Sequence, residues 1–451
     1  MPASDQSQSR IPAPRFSTAA QLAVSALWFA WYGQWLTIPT SLVQNQVTAI
    51  VGPASPFLEE SVGLVLAAGA VMALIIPPLA GSLSDRSLAR RGRRRPYLIV
   101  GVLGSSAALA ILGLFGGGSG ARGSLLLYGL AYLHLQFWWN WAAGPYAGLI
   151  PDVVPAESKG MASGWMNVVG IFGVIVANLL MVLFYRPGHA TLVIAIFIFI
   201  NLVSLLITLG VHEQLPQPAE RRSLSTFLRG FWLAPSAHPN FYLVLATRLF
   251  SNLGIWSVFG FLVLYLQSVL GLPEAEATGL FQKLLAAGAF LAIPASLIGI
   301  KLAARYGLVP IVQITSWVMA AATFCYVLIA MAPAVSLVVP VVIVLSIANG
   351  AYGAADWYLA LRVLPSGPDA GKDFGIWHVS MVVPQIIGPF TMGFLISTLK
   401  MSVSDSFAYM VAFAIATFWF ILAAAFVGRV RLADAADAET SLPAAAGPVV
   451  R

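Results

Sequence analysis

About twelve apolar segments, each near the ~20 residues an α-helix needs to cross the hydrocarbon core, dominate this chain. They run over residues 17–39, 61–83, 96–115, 124–150, 160–184, 190–210, 240–267, 276–299, 309–331, 335–363, 375–398 and 405–428. A water-soluble domain carries roughly a quarter charged residues. Here 9% of 451 residues are charged and mean hydropathy is +0.86. A helix pairs its own backbone groups inside lipid, so the expectation is an all-α polytopic membrane protein with twelve transmembrane helices.

Cations decide the orientation. With the amino terminus inside, one set of connections holds Arg10, Arg15, six arginines between Arg86 and Arg95, Lys159, Arg221, Arg222, Arg229, Lys301, Arg305, Arg362, Lys372, Arg429, Arg431 and Arg451. The opposite set holds Arg122, Arg186 and Lys400. An excess of Lys and Arg marks the cytoplasmic side, so both termini are expected in the cytoplasm and the protein in the inner (plasma) membrane. The net charge of +7 is therefore a matter of topology. No basic surface alternates with stacking aromatics, and no nucleic-acid partner is expected. No cleavage site follows the first apolar segment, which argues against a cleaved signal peptide. The single cysteine, Cys325, permits no intrachain disulfide.

Residues 211–239 are the longest polar interruption and split the apolar segments six and six. The expected layout is a cytoplasmic tail (1–16), a six-helix bundle (17–210), a cytoplasmic linker (211–239), a second bundle (240–428) and a cytoplasmic tail (429–451). Within the linker, Ser223–Leu233 looks amphipathic and suits the membrane surface. The Ala-, Asp- and Pro-rich tail after Arg431 has the composition of a disordered segment.

The basic block itself reads Gly81-Ser82-Leu83-Ser84-Asp85-Arg86, then Gly92-Arg93-Arg94-Arg95-Pro96. An anchor for the cytoplasmic face explains its arginines, but not a Gly and an Asp at these spacings. Asp85 falls where a helix ends, against exposed carbonyls and the negative end of the dipole, so it needs nearby cations or the start of another helix. The pattern resembles the signature loop between the second and third spans of the major facilitator superfamily. The resemblance implies a conformational latch made of Gly81, Asp85, Arg86, Gly92, Arg93, Arg94 and Arg95. It also implies that Asp85 sits near the start of the eleventh span, around Gly375, when the cytoplasmic side is closed.

The halves echo one another. Leu149-Ile150-Pro151-Asp152-Val153-Val154-Pro155 precedes Lys159-Gly160, as Leu359-Ala360-Leu361-Arg362-Val363-Leu364-Pro365 precedes Lys372-Asp373-Phe374-Gly375. Gly299 to Gly307 is a degraded copy of the basic block without its Asp. A repeated six-helix unit is the architecture of alternating-access carriers. Asp356, Arg362–Pro365, Asp369–Gly375 and Pro384-Gln385-Ile386-Ile387-Gly388-Pro389, with Pro145-Tyr146 in the first half, resemble bacterial relatives of the sucrose-transporter branch, the glycoside-pentoside-hexuronide symporters. That likeness, over roughly residues 17–428, implies the major facilitator fold, a cavity lined by spans one, four, seven and ten, and a proton-coupled sugar carrier.

Ionisable groups inside spans need a partner or a wet cavity. Arg248 lies about eight residues into the seventh span and Asp356 about eight before the end of the tenth, so both sit ~12 Å deep. An ion pair between them is feasible. Burial and a neighbouring arginine act oppositely on a carboxylate, so breaking such a pair can switch proton affinity. Arg248 and Asp356 are the candidate proton-coupling pair, although a permanent structural bridge uses the same two residues. Asn252 lies one turn above Arg248, and Asn349, Tyr352 and Asp356 share a helical face. On the fourth span His134 and Trp138 follow at helical spacing, with Asn140 nearby. The first span carries Trp28, Trp31, Tyr32 and Trp35 beside Gln34. Aromatic rings cover the C–H face of a sugar while amides or imidazole bond its hydroxyls. Gln34, Trp31, Tyr32, His134, Trp138, Asn140, Asn252, Asn349 and Tyr352 are thus the candidate substrate-binding set; such stripes also pack against protein or lipid. Lys283 fits an interfacial snorkelling role, His378 a structural one, and Asn167 and Asn178 interhelical contacts. Gly69, Gly101, Gly170 and Gly173 suit close helix packing.

No catalytic residues, metal ligands or cofactor are expected. The chain has no Gly-x-x-x-x-Gly-Lys-Ser/Thr loop, its five histidines are scattered, and no serine has a matching His and Asp. The reading that results is a monomeric, proton-driven symporter of a neutral sugar, an α-glucoside such as sucrose or maltose. The rival readings are a proton antiporter exporting an amphipathic molecule and a membrane sensor that binds a ligand without moving it.

Overall fold

The computed structural model describes residues 17–89, 92–116, 124–155, 158–213, 236–363 and 370–432, with side chains left out at Ile150, Gly160 and 370–376. Both expected tails (1–16 and beyond Leu432), the Ser223–Leu233 segment, Arg122 and Asp369 lie outside the described residues. The helices are α1 (Thr18–Thr37), α2 (Val43–Val51), α3 (Leu58–Asp85), α4 (Arg95–Phe115), α5 (Leu125–Ala147), α6 (Leu149–Val153), α7 (Lys159–Phe184) and α8 (Thr191–Leu209) in the first half. The second half has α9 (Pro239–Phe259), α10 (Leu262–Ser268), α11 (Glu274–Tyr306), α12 (Leu308–Met331), α13 (Val335–Val363), α14 (Ala370–Ser402) and α15 (Asp405–Val427).

Local chemistry sets several of these ends. The Ser17 hydroxyl accepts from the Ala20 N–H at 3.2 Å to start α1, and Ser404 does the same for α15 through Phe407 at 3.3 Å. Pro96 and Pro239 stand in the first turns of α4 and α9, where a missing N–H costs nothing.

Among the described residues these segments form twelve rods, because α1 continues through a π-helical turn (Ile38–Leu42) into α2, and α10 prolongs α9. The first rod therefore runs twelve residues beyond the expected end at Pro39, to Val51, carrying a polar stretch that hydropathy alone excludes. Its amides and hydroxyls are buried against protein instead (Gln44, Asn45 and Gln46 are at most 3% exposed). Likewise α11 continues to Tyr306, so Lys301 and Arg305 are helical rather than in a loop.

Ten rods are long and apolar enough to cross a membrane. The two that fall short, those starting with α1 and α5, carry the aromatic and amide faces. Large apolar side chains lie bare around the outside, with Leu206 70% and Leu126 68% exposed, as suits contact with lipid.

The rods alternate in direction, which gives the molecule two ends. One holds the start of α1, the Asp85–Arg95 block and the end of α15; we call it the arginine end. The other holds Glu59 at the start of α3. The halves meet chiefly where α3 lies along α14 and α7 along α11. At the first crossing the backbones touch: a Cβ on Gly63 would stand 2.2 Å from the Pro389 carbonyl oxygen, and one on Gly393 2.3 Å from that of Glu59. The glycines expected to permit close packing do so, with Gly173 against the Phe29 carbonyl, Gly101 against Ala142, Gly170 against Trp28 and Gly69 against the Tyr132 ring.

A cavity between the halves and its charged surroundings

A cavity of about 560 Å³ lies between the halves. Its roof, toward the Glu59 end, is made by Trp35, Pro39, Trp256 and Pro389; its walls reach down to Pro78 and Ala147 at the arginine end. Trp35 and Trp256 meet edge-on across the seam at 5.6 Å. On α1, Trp28, Tyr32 and Trp35 recur at helical spacing and stack in a ladder, with centroids 5.6 and 5.7 Å apart and planes within 15°. Trp31 turns its ring edge-on to Tyr146 at 5.3 Å. On α5, Tyr132, Gln136 and Asn140 form a second stripe. The Gln136 amide donates to the Tyr132 oxygen at 2.8 Å, and Asn140 donates to the Gln136 carbonyl at 2.8 Å. Among the described lining residues none is Asp, Glu, Lys or Arg. The wall offers aromatic faces, three amides (Gln136, Asn140, Gln385) and His378. Such a surface suits a neutral, partly apolar molecule with hydroxyl groups.

The expected ion pair is formed. Arg248 Nη1 lies 2.9 Å from Asp356 Oδ2, and the Tyr352 hydroxyl is 3.4 Å from Oδ1. Asp356 is 2% exposed. The guanidinium stacks over Trp377 (4.8 Å) and Trp357 (5.8 Å), and its Nη2 donates to the Met381 sulfur at 3.0 Å. Asn252 donates to the Arg248 carbonyl at 2.8 Å. This group stands behind the cavity wall, joined to it through Met381 on α14.

The candidate sugar-binding residues therefore separate. Trp31, Tyr32 and Asn140 line the cavity. Asn252 and Tyr352 belong to the ion-pair group, and Asn349 is half-buried on the same helix face. The other three lie elsewhere. Gln34 is buried between α1 and α8, donating to Asn201 Oδ1 at 2.9 Å, because a mid-helix amide can pair across a packing seam as well as across a cavity. His134 is exposed on the outer face, where it accepts from Trp138 at 3.2 Å, and the Trp138 ring fills the space beside Gly104. A two-residue offset on α5, about 200° at roughly 100° per residue, separates this outer stripe from the inner one. Sequence reasoning also missed Gln136, Trp139, Trp256 and Gln385. The i, i+4 spacing of Gln136 and Asn140 was the available signal. His378, expected to be structural, lines the cavity, and Asn178 bonds within its own helix to the Val174 carbonyl at 2.6 Å.

A polar seam closes the Glu59 end. Glu59 is fully buried and accepts from Lys400 at 2.8 Å and from Tyr409 at 2.9 Å, both from the second half. Lys400 also lies 3.4 Å from Asp405. Asn45 donates to Thr278 at 2.8 Å, Gln282 donates to Ser41, and the Tyr185 hydroxyl donates to Glu274 at 2.7 Å. Nothing in the sequence flagged this seam, since Lys400 reads as one loop cation.

At the arginine end the charges close within the first half. Asp85 pairs with Arg94 at 2.6 Å and lies 4.0 Å from Arg93. Asp152 on α6 accepts from both arginines. Arg94 also donates to Ser84 at 2.6 Å, and Arg95 donates to the Val211 carbonyl at 2.7 Å. Glu213, after α8, accepts the Arg94 backbone N–H at 2.9 Å, beside the positive end of α4. Its carboxylate stands 2.6 Å from where a Cβ on Gly92 would be, and Gly92 has φ +115°. Gly81 faces Gly144 on α5, and Arg86 caps the end of α3. Burial pushes the Asp152 carboxyl up, but the hydrogen bonds and charges of Arg93 and Arg94 outweigh it and hold it below its ordinary value. Arg93 is raised by its bond to Asp152. The block thus ties α3, α4, α6 and α8 together; the side chains around Gly375 lie outside the described residues.

A family model described as Major Facilitator Superfamily matches residues 22–368. Solved structures with a similar fold include a D-xylose–proton symporter (17% identity, TM-score 0.67, covering 90% of this chain and 97% of that one). Another is the nucleoside transporter NupG (15%, TM-score 0.68, covering 91% and 98%). A third is a bacterial homolog of the human lysosomal transporter Spinster, inward-facing and unoccupied (14%, TM-score 0.65, covering 92% and 97%). No curated protein matches the sequence.

Proposed function

Because the chain belongs to the major facilitator superfamily of membrane transporters, we propose that it is a proton-coupled symporter of a neutral sugar, an α-glucoside disaccharide such as sucrose or maltose. The observation that carries this reading is the cavity wall: stacked aromatic rings and amides with no fixed charge among its described residues. Rings cover the C–H face of a pyranose, and amides exchange hydrogen bonds with its hydroxyls in both directions. A D-xylose–proton symporter among the similar folds supports the class of substrate.

The arginine excess supports a cytoplasmic arginine end, so the cavity here opens inward, with both termini in the cytoplasm. In the cycle, the seam at the Glu59 end parts, proton and sugar enter, and the halves rock about the cavity. Asp356 carries the proton. Arg248 is always charged, so protonating its partner weakens the pair and leaves the guanidinium for other acceptors. The arginine-end block serves as the latch in the outward-facing state, and the carrier works as a monomer.

The test is proton and sugar flux in proteoliposomes offered disaccharides, monosaccharides and glycosides at several pH values. Sugar-evoked proton uptake, strengthened by acid outside and abolished in Asp356→Asn while sugar exchange persists, is the expected result. Silence across the panel from folded protein overturns it. The predominance of aromatic wall favours one second reading, proton-coupled export of an amphipathic molecule, which shows itself as flux opposite to the proton gradient.

A further inference from the structure

Substrate and proton groups occupy different halves. Most of the cavity wall comes from α1, α3 and α5, whereas Arg248, Tyr352 and Asp356 stand behind it on α9 and α13. Coupling is carried by an element with two arrangements whose balance both sites bias, and a residue touching both sites is a direct candidate for one. Met381 is such a residue. It lies on α14 among His378, Val382 and Gln385, lining the cavity, and its sulfur accepts from Arg248 Nη2 at 3.0 Å. Its backbone carbonyl accepts from the Gln385 side chain, another wall residue, at 3.0 Å.

The chemistry of the contact is asymmetric. One nitrogen of the guanidinium, Nη1, faces a carboxylate, while the other faces a thioether, a weak acceptor. Arg248 Cζ also lies over the Trp377 and Trp357 rings. The cation is thus held firmly by Asp356 and loosely by Met381. A methionine has three rotatable bonds and a polarisable sulfur, so a molecule filling the cavity displaces it easily. We infer that Met381 is the positioning residue that links sugar occupancy to the Arg248–Asp356 pair, and so sets how many protons move with each sugar. This rests on the symport reading above. A sugar that pushes the sulfur onto Nη2 draws the guanidinium off Asp356, whose freed carboxylate takes up the proton, so that sugar and proton bind together. When the cavity empties, the sulfur falls back, the guanidinium returns to Asp356 and the proton is released.

The experiment is the ratio of protons to sugar taken up by proteoliposomes holding the full-length protein, with sucrose and maltose as probes, read at pH 5.5 to 8. A ratio is independent of how much protein is active. Met381→Leu keeps the apolar bulk and removes the acceptor; it is expected to lower the ratio about fivefold and flatten the pH profile of uptake. Met381→Gln restores an acceptor of similar reach and is expected to restore both. A wild-type ratio in Met381→Leu overturns the inference while leaving symport standing, and so does an equal loss in both variants. Wild-type protein that moves no proton with either sugar overturns the symport reading and this inference with it.

Discussion

Replacing Lys400 with methionine should open the Glu59 end of the molecule. Glu59 is fully buried between the halves, and Lys400 and Tyr409 are its partners there. Removing one member of a buried ion pair costs about 3–5 kcal/mol, because the remaining charge stays out of water. The Tyr409 hydroxyl is retained, which places the cost near the lower figure. It falls on one state alone, since water solvates Glu59 once the seam parts. About 3 kcal/mol moves the equilibrium roughly a hundredfold at ~1.4 kcal/mol per tenfold. In a Cys325→Ser background, maleimide should label Ser41→Cys, buried in the seam, far faster when Lys400 is Met. Ala147→Cys, exposed at the arginine end, should label more slowly. Adding Glu59→Leu removes the stranded charge and should return labelling most of the way. Unchanged Ser41→Cys labelling in Lys400→Met would refute the reasoning.

Three further outcomes are expected. Gly63→Ala puts a methyl 2.2 Å from the Pro389 carbonyl oxygen, so it should weaken closure by about 1–3 kcal/mol, read by the same labelling. Asp152 titrates below its ordinary value in the folded protein, so its contribution is complete above about pH 4 and is lost as pH falls through the lower folded value. The melting temperature of detergent-purified protein should fall on acidification below that point, with a smaller acid-dependent loss in Asp152→Asn; identical slopes would remove Asp152 from the account. In tryptophan-quenching titrations His134→Ala should leave sugar affinity within about twofold, whereas Asn140→Ala should weaken it about tenfold, the loss of one bond in a dry site. A large effect at His134 would mean that the outer face binds sugar.

The rods were legible because hydropathy is a property of whole segments, and lipid demands long apolar ones. The Arg248–Asp356 pair was legible for the same reason: two ionisable groups at one depth in apolar helices have few other ways to be stable. Helix rotation was harder to read. On α5, His134 and Trp138 differ from Gln136 and Asn140 by two positions, enough to turn one stripe outward and the other inward, and both are polar and aromatic. Gln34 shows a related ambiguity, since an amide satisfied by Asn201 looks in sequence like an amide awaiting a ligand. The Glu59 seam was invisible for a third reason. Glu59 lies more than 300 residues from Lys400 and Tyr409, and near a helix end, where charges are ordinary.

The make-up of that seam bears on speed. Had the halves closed through interlocking leucines, each would add about 1.5–3 kcal/mol to the contact and the molecule would stick shut. Ser41, Asn45, Thr278 and Gln282 instead trade bonds with each other for bonds with water, a net change of about 0.5–1.5 kcal/mol apiece. Such a clasp lets go as readily as it takes hold. Neither resting posture becomes a trap, and thermal motion with a small push from cargo suffices to turn the machine over.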